Sequence, residues 1–467
     1  MSGPRVVVVG GGIAGLSCAF DLVTHDPTLD VTLLESADRI GGKIRTTAFA
    51  GLAVDEAADA FLARVPWARE LCAELDLESE LTSPASNRAY LYSYGALRRI
   101  PADNVLGVPL DLDALAASGI VSAPAVARAR QDLARTTDAV TDGLSRSGED
   151  ESIGALIRRR LGDEINDRVV DPLIGGIYAG STDQLSLEST APIFANAAVL
   201  DGSLIRALER TRVVPSTTNP TPVFFAHPRG IGFITEELHR RLGSRVQLST
   251  PVRAIDRDGS GYRVHTAQST LHADAIVLAT PTYDTARLLT SVAPRAAKLC
   301  ADIDYASVVL VTFAVAKTTI DHPLDASGFL VPKCENRFIT ACSWTSSKWA
   351  HLASDRHAIL RVSSGHIDNE RPLLLDDATL ISSALNDLHD MMGTFGEPEE
   401  IRISRWPRSF PQYRPGHRVR VRAIENALAD DARGIVVAGA AYGGIGIPAT
   451  IHQARETAER VRTSLSA

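Results

Sequence analysis

Residues 5–15 read Arg-Val-Val-Val-Val-Gly-Gly-Gly-Ile-Ala-Gly, four β-branched residues running straight into a glycine cluster with Gly10, Gly12 and Gly15 at GxGxxG spacing. Four successive valines suit a strand covered on both faces, as in a parallel sheet. The glycines allow a tight turn, close approach of a pyrophosphate and close packing of the next helix on the strand. A helix over 13–23 would begin at Ile13 and Ala14 and aim its free N–H groups at phosphate. Alone, the motif leaves NAD, FAD or a purely structural turn open. The next strand narrows the choice. Val31-Thr32-Leu33-Leu34-Glu35 ends in a carboxylate, with Ser36 beside it, about 20 residues beyond Gly15, where a ribose hydroxyl is expected. An acid at that place disfavours a 2′-phosphate, and so NADP.

The chain is 467 residues long, 45% hydrophobic and 22% charged, enough for two or three domains with their own cores. A net charge of −8 provides no electrostatic footprint for nucleic acid or an anionic membrane. Cys18, Cys72, Cys300, Cys334 and Cys342 contain no CxxC pair, which argues against a disulfide framework or a zinc site and suits a reducing cytoplasm. The first strand begins within about five residues of the start, leaving no room for a signal peptide. Residues 434–451 are uncharged and long enough to raise a transmembrane helix. Five glycines and Pro448 within them read instead as a strand over 434–438, a glycine-rich turn and a helix from about Ala449. Peripheral contact with a membrane stays open.

The pattern along the chain is α/β. Arg39-Ile40-Gly41-Gly42-Lys43 follows the second strand with a glycine pair that extends the nucleotide site. Residues 96–195 are rich in Ala, Leu and Arg at helical spacing, for example 125–144 and 153–161, and read as a helical insertion. Strand patterns return at 246–250, 262–266 and 274–281, the last ending on small residues such as Ala279 before a proline, and the nucleotide domain resumes there. Strands over 308–315 and 359–363 with a helix over 377–392 suggest the mixed sheet of a second domain. Residues 215–222 read as a connecting loop, and there is no internal repeat. The expected architecture is a Rossmann-like FAD/NAD(P)-binding domain (1–62, 225–290 and 406–467), a mixed-sheet substrate domain (63–95, 196–224 and 291–405) and the insertion.

The glycine turn, Glu35 and Arg39-Ile40-Gly41-Gly42, together with Ile435-Val436-Val437-Ala438-Gly439 and Tyr442-Gly443-Gly444-Ile445-Gly446-Ile447-Pro448, resemble the flavin amine oxidase superfamily, whose two chain ends build one FAD site. Asp171-Pro172-Leu173-Ile174-Gly175-Gly176-Ile177-Tyr178-Ala179-Gly180 with Leu185-Ser186-Leu187, and Asn104-Val105-Leu106-Gly107-Val108-Pro109, resemble its porphyrinogen oxidase branch. These blocks cover essentially the whole chain. The resemblance implies six-electron oxidation of coproporphyrinogen III by FAD in haem biosynthesis, with oxygen as acceptor and hydrogen peroxide as by-product. Protoporphyrinogen IX is the alternative substrate, and hand-off of product to a ferrochelatase stays open. It further implies that Gly10, Gly12, Ile13, Ala14, Gly15, Glu35 and Ser36 hold the adenosine diphosphate half, while Arg39, Gly41, Gly42 and Lys43 approach the ribityl and flavin portion. Val252 would contact adenine through its backbone, and Ala279 and Gly439 would close the strand ends. Tyr442, Gly446, Ile447 and Pro448 would lie along the isoalloxazine, where a helix N-terminus stabilises a reduced, anionic flavin.

Some superfamily members attach FAD through a cysteine in the C-terminal third. None follows Cys342 here, so the cofactor is expected to be non-covalent. Relatives often carry an acid after the glycine of the last strand, but this chain has Ala440. A tetracarboxylate macrocycle needs an apolar pocket with cations at its rim. Arg64, Ile177 and Tyr178 are the candidate contacts. His227 and Arg229 read as positioning a loop, and no histidine or lysine (Lys317, Lys333 and Lys348 included) carries the signature of a catalytic base. An amine or carotenoid oxidase, or a non-catalytic protein like the GDP-dissociation inhibitors, are the competing classes. A low aromatic content argues against an amine-binding cage, and retention of both glycine-rich ends argues against a flavin-free protein.

Overall fold

The four valines form the middle of a five-stranded, all-parallel sheet, with strands in the order Val246–Gln247, Asp30–Leu34, Arg5–Val9, Ala275–Leu278 and Ile435–Val437. In the computed structural model, which describes residues 3–136, 150–212 and 222–466, Val6 and Val8 face one core and Val7 and Val9 the other. Burial on both faces is why this strand shows no alternation in sequence. One face is covered by the helices Ile13–His25 and Ile447–Ser466, whose Leu16, Ala19, Ile451, Ala454 and Ala458 share a core. The expected strand over 246–250 shrinks to two residues, because Ser249 turns into the left-handed region at φ 51°. The 262–266 pattern is Gly261–His265, the middle of a three-stranded antiparallel sheet with Ala254–Asp258 and Thr270–Ala273.

A second, seven-stranded sheet orders Glu400–Pro411, Tyr305–Ala316, His357–Ser364, Ala341–Trp344, Gly328–Leu330, Tyr90–Ser93 and Ala96–Arg99. It is mixed, as expected: Gly328–Leu330 and Tyr90–Ser93 run parallel within an otherwise antiparallel ladder. The helix Asp377–Met392 has its expected ends, capped by the Asp376 side chain on Thr379 N, and packs Leu380, Ala384 and Leu388 against this sheet.

The helical stretch is displaced from 96–195. Residues 96–99 are helix formers by propensity, yet pairing with Tyr90–Ser93 makes them a strand, an instance of tertiary context overriding propensity. Helices run instead from Leu112 to Thr211, and Ala197, Ala198, Leu204, Ile205 and Leu208 share one core with Ile153, Leu156 and Ile157. Residues 196–211 thus pack with the helices and not with the mixed sheet. The helix expected over 125–144 is Ala123–Leu133, capped by Ser122; residues 137–144 lie outside the described residues, as does 215–221 of the expected loop. Residues 434–451 resolve into strand, turn and helix. Among the described residues no helix is long and apolar enough to cross a membrane.

Candidate active site

The glycine turn sits at the C-terminal end of the central strand. Gly10 has φ +109°, and a Cβ there would lie 2.8 Å from Ala279 O, so glycine is required. A Cβ on Gly15 would lie 1.9 Å from Gly10 O, which shows how closely the helix sits on the strand. Gly12 differs: nothing lies within 4 Å of where its Cβ would be, no side chain caps the helix, and its first turn carries no acid. The space beside Gly12 and the uncapped, acid-free first turn fit a pyrophosphate. At the rim, Glu35 Oε2 accepts from Gly11 N at 2.6 Å, and Oε1 accepts from Ala37 N at 2.7 Å and Ser36 Oγ at 3.0 Å. Val252 is buried. Its carbonyl accepts from Arg287 at 3.3 Å, and its N–H donates to no described residue.

The second glycine pair docks against the first. Gly41 N donates to Gly11 O at 2.8 Å, and a Cβ on Gly42 would lie 3.2 Å from Gly12 Cα. Arg39 turns back onto its own loop, donating to Ile40 O at 3.1 Å and Gly42 O at 2.8 Å. Lys43 is exposed, yet its ammonium donates to Ser409 O at 2.5 Å, and local desolvation pulls its pKa down to about 8.

The hairpin that follows, Thr46–Phe49 with Leu52–Asp55, leads into a charged floor against the mixed sheet. Burial raises the Asp55 pKa to about 6, although Thr46 Oγ1 (2.5 Å) and Ile231 N (3.0 Å) donate to it. Asp59 accepts from Lys348 Nζ and Trp349 Nε1 and pairs with Arg361, each at 3.1 Å. Against a burial penalty that pushes it up, the charges of Lys348 and Arg361 hold this carboxyl well below the usual carboxylate range. Lys348, silent in sequence, is thus a counterion.

The C-terminal turn closes the site. Gly439 has φ +131°, and a Cβ there would come to 4.0 Å from Ala14 Cβ, which puts the last strand beside the start of the first helix. Gln453 accepts from Gly439 N at 2.9 Å and donates to Val437 O at 3.1 Å. The helix begins at Ile447, two residues before the expected Ala449, with Pro448 in its first turn, where the missing N–H costs nothing. Gly446 is exposed at its start. Tyr442 corrects the expectation for its ring. It is buried in the core beside Cys300 Sγ, 4.0 Å from its hydroxyl, so the ring does not line the site, and its N–H donates to Gly439 O at 3.1 Å.

On the substrate side, Ile177 is 48% exposed near the end of the helix Asp171–Tyr178, which Ala179 stops in the left-handed region. Burial raises the Tyr178 phenol to about 12. Arg64 is exposed and makes no hydrogen bond or ion pair with a described residue. His227 accepts from Arg229 N at 3.2 Å and both stack on Phe233, which shapes the loop leading to the helix Gly232–Leu242.

Residues 406–417 link Lys43, Tyr178 and the C-terminal turn, and sequence reading missed them. Trp406 Nε1 donates to Glu56 O at 3.2 Å, and Arg408, at φ 46°, stacks its guanidinium 3.7 Å from the Tyr283 ring centroid. Ser409 receives Lys43, Gln412 reaches Tyr178, and Tyr413 and His417 reach Ala440 and Ala441. The sequence placed these residues only within the nucleotide domain, with nothing to say what they would meet.

Set against known proteins, residues 13–462 match the family model of flavin containing amine oxidoreductases. The chain is 32% identical to the coproporphyrinogen III oxidase of Bacillus subtilis (strain 168), covering 99% of this chain and 98% of that one. A crystal structure from Exiguobacterium sp. 255-15, provisionally named a protoporphyrinogen oxidase, superposes with a TM-score of 0.90 at 30% identity over 100% of both chains. The chloroplastic protoporphyrinogen oxidase 1 of Arabidopsis thaliana is more distant, 24% identical over 98% of this chain and 88% of that one. The chain belongs to the flavin containing amine oxidoreductase family. Its cofactor is a flavin.

Proposed function

We propose that this protein oxidises coproporphyrinogen III to coproporphyrin III with a non-covalent FAD and oxygen, forming one hydrogen peroxide for each electron pair. The observation that carries this reading is the full-length likeness to the Bacillus subtilis enzyme, set against the weaker likeness to the plant protoporphyrinogen oxidase. Bound FAD supplies the hydride acceptance, and six electrons leave the macrocycle in three rounds. The protein supplies binding, orientation and a dry site.

In this reading Gly10, Gly12, Ile13, Ala14 and Gly15 take the pyrophosphate, Glu35 with Ser36 the ribose, and the free N–H of Val252 the adenine. Ala279 closes the strand end beneath the turn. Arg39, Gly41, Gly42 and Lys43 hold the ribityl side, while Gly439, the backbone at Tyr442, and Gly446, Ile447 and Pro448 border the isoalloxazine. There the start of the last helix favours negative charge on the reduced ring. Ile177 and Tyr178 meet the macrocycle and Arg64 a propionate. The parallel sheet serves the cofactor, and the mixed sheet with the helices serves the substrate. The reading places the protein in the cytoplasm, where a ferrochelatase would collect the product.

The test offers coproporphyrinogen III and protoporphyrinogen IX separately under air and follows porphyrin fluorescence. Faster turnover of coproporphyrinogen III is expected, and a clear preference for protoporphyrinogen IX would overturn the substrate assignment. Acid or heat should release the flavin. Flavin that stays with the precipitated protein would refute non-covalent attachment.

A further inference from the structure

Gln412 and Tyr413 are 3% and 2% exposed; both touch the segment carrying Tyr178, and Tyr413 also reaches the C-terminal turn. Toward the substrate side, Gln412 Nε2 donates to Tyr178 O at 2.8 Å, Tyr413 O accepts from Ser186 N at 2.7 Å, and the Tyr178 and Tyr413 rings meet edge-on at 5.8 Å. Toward the flavin side, the Tyr413 hydroxyl donates to Ala440 O. His417, stacked on the Tyr413 ring at 4.2 Å, donates from Nε2 to the next carbonyl, Ala441 O, at 2.9 Å. Two stacked rings therefore hold two successive carbonyls of the C-terminal turn. Burial keeps both rings neutral, raising the tyrosine and lowering the histidine, so both remain donors across the working pH range. A close-packed interior of this kind passes on displacements instead of absorbing them.

We propose that Tyr413 is a positioning residue that couples the segment carrying Tyr178 to the turn bordering the flavin, so that a shift at Tyr178 or Gly180 changes the flavin's surroundings. Its use in catalysis rests on the reading of Ile177 and Tyr178 as substrate contacts. The coupling itself needs no substrate to be observed. Gly180 offers the probe: a Cβ there would lie 2.7 Å from Gln412 Oε1 and 3.0 Å from Leu185 Cδ1, so Gly180→Ala has to move Gln412.

The experiment is a double-mutant cycle on flavin-loaded protein, reading the visible absorbance maxima and the midpoint potential of the flavin. Gly180→Ala is expected to shift both in the wild-type background, and the shift is expected to be at least halved in Tyr413→Phe, which keeps the ring and loses only the hydroxyl. Tyr178→Leu is the second substrate-side variant, with the same expectation, should Gly180→Ala not fold. Shifts of equal size in the two backgrounds, or none in the wild type, would overturn the coupling. Failure to oxidise coproporphyrinogen III would sink the proposed function and leave this result standing.

Discussion

Gly12 and Gly15 stand three residues apart in one motif, yet a methyl group would meet free space at the first and the Gly10 carbonyl at 1.9 Å at the second. Gly12→Val is therefore expected to fold with a melting temperature close to wild type and to purify without flavin, read from the flavin-to-protein absorbance ratio. Undiminished flavin would move the pyrophosphate elsewhere. Gly15→Ala has to push the helix off the strand, at a cost of about 1–3 kcal/mol, and a lower melting temperature in flavin-free protein checks it. The spacing of these glycines is legible in sequence; which of them faces a ligand is not, because that depends on Ala279 and Glu35 arriving from other strands. Tyr442 makes the same point from the other side. Its place in the glycine-rich block suggested a flavin contact, but its ring packs in the core beside Cys300.

The helix His417–Asp431 begins on a residue that ties it to the C-terminal turn. Burial lowers the His417 pKa to about 4, with Arg420 adding to the shift and Asp150 opposing it. The unfolded chain binds this proton first as pH falls, since an unperturbed histidine titrates near 6.5. The contribution is complete above pH of about 6.5 and is lost progressively down to about 4, on the order of 3 kcal/mol in all. Urea midpoints measured across that window are expected to fall more steeply for wild type than for His417→Gln, which keeps a donor and cannot titrate. Parallel slopes would remove His417 as the cause. Among the elements, Asp377–Met392 was readable from its period and its Asp376 cap, whereas Ala96–Arg99 looked helical until Tyr90–Ser93 supplied a partner strand. Local pattern suffices where an element carries its own cap and apolar face; it fails where hydrogen bonds come from a neighbouring strand.

Across the whole molecule, the charged floor fastens the segment after the hairpin to the mixed sheet through Arg361 and to the helix Thr345–Lys348. Lys348→Met would leave Asp59 buried with Arg361 and Trp349 only, and a loss of about 1–3 kcal/mol is expected, smaller than for an ion pair broken outright because one counterion remains. Thermal melts of the variant check this; an unchanged transition would make Lys348 dispensable to the joint. By itself the sequence determined the nucleotide-binding sheet, its glycine turn and the family, since each is written in short runs whose chemistry is local: valines for a doubly covered strand, glycines for a turn, a carboxylate after the second strand. Only the tertiary structure decided that Lys348 neutralises Asp59, that Tyr442 turns inward, that residues 196–211 join the helices, and that residues 406–417 link Lys43, Tyr178 and the C-terminal turn. Each of these depends on contacts between residues tens or hundreds of positions apart, and such contacts leave no periodic trace along the chain.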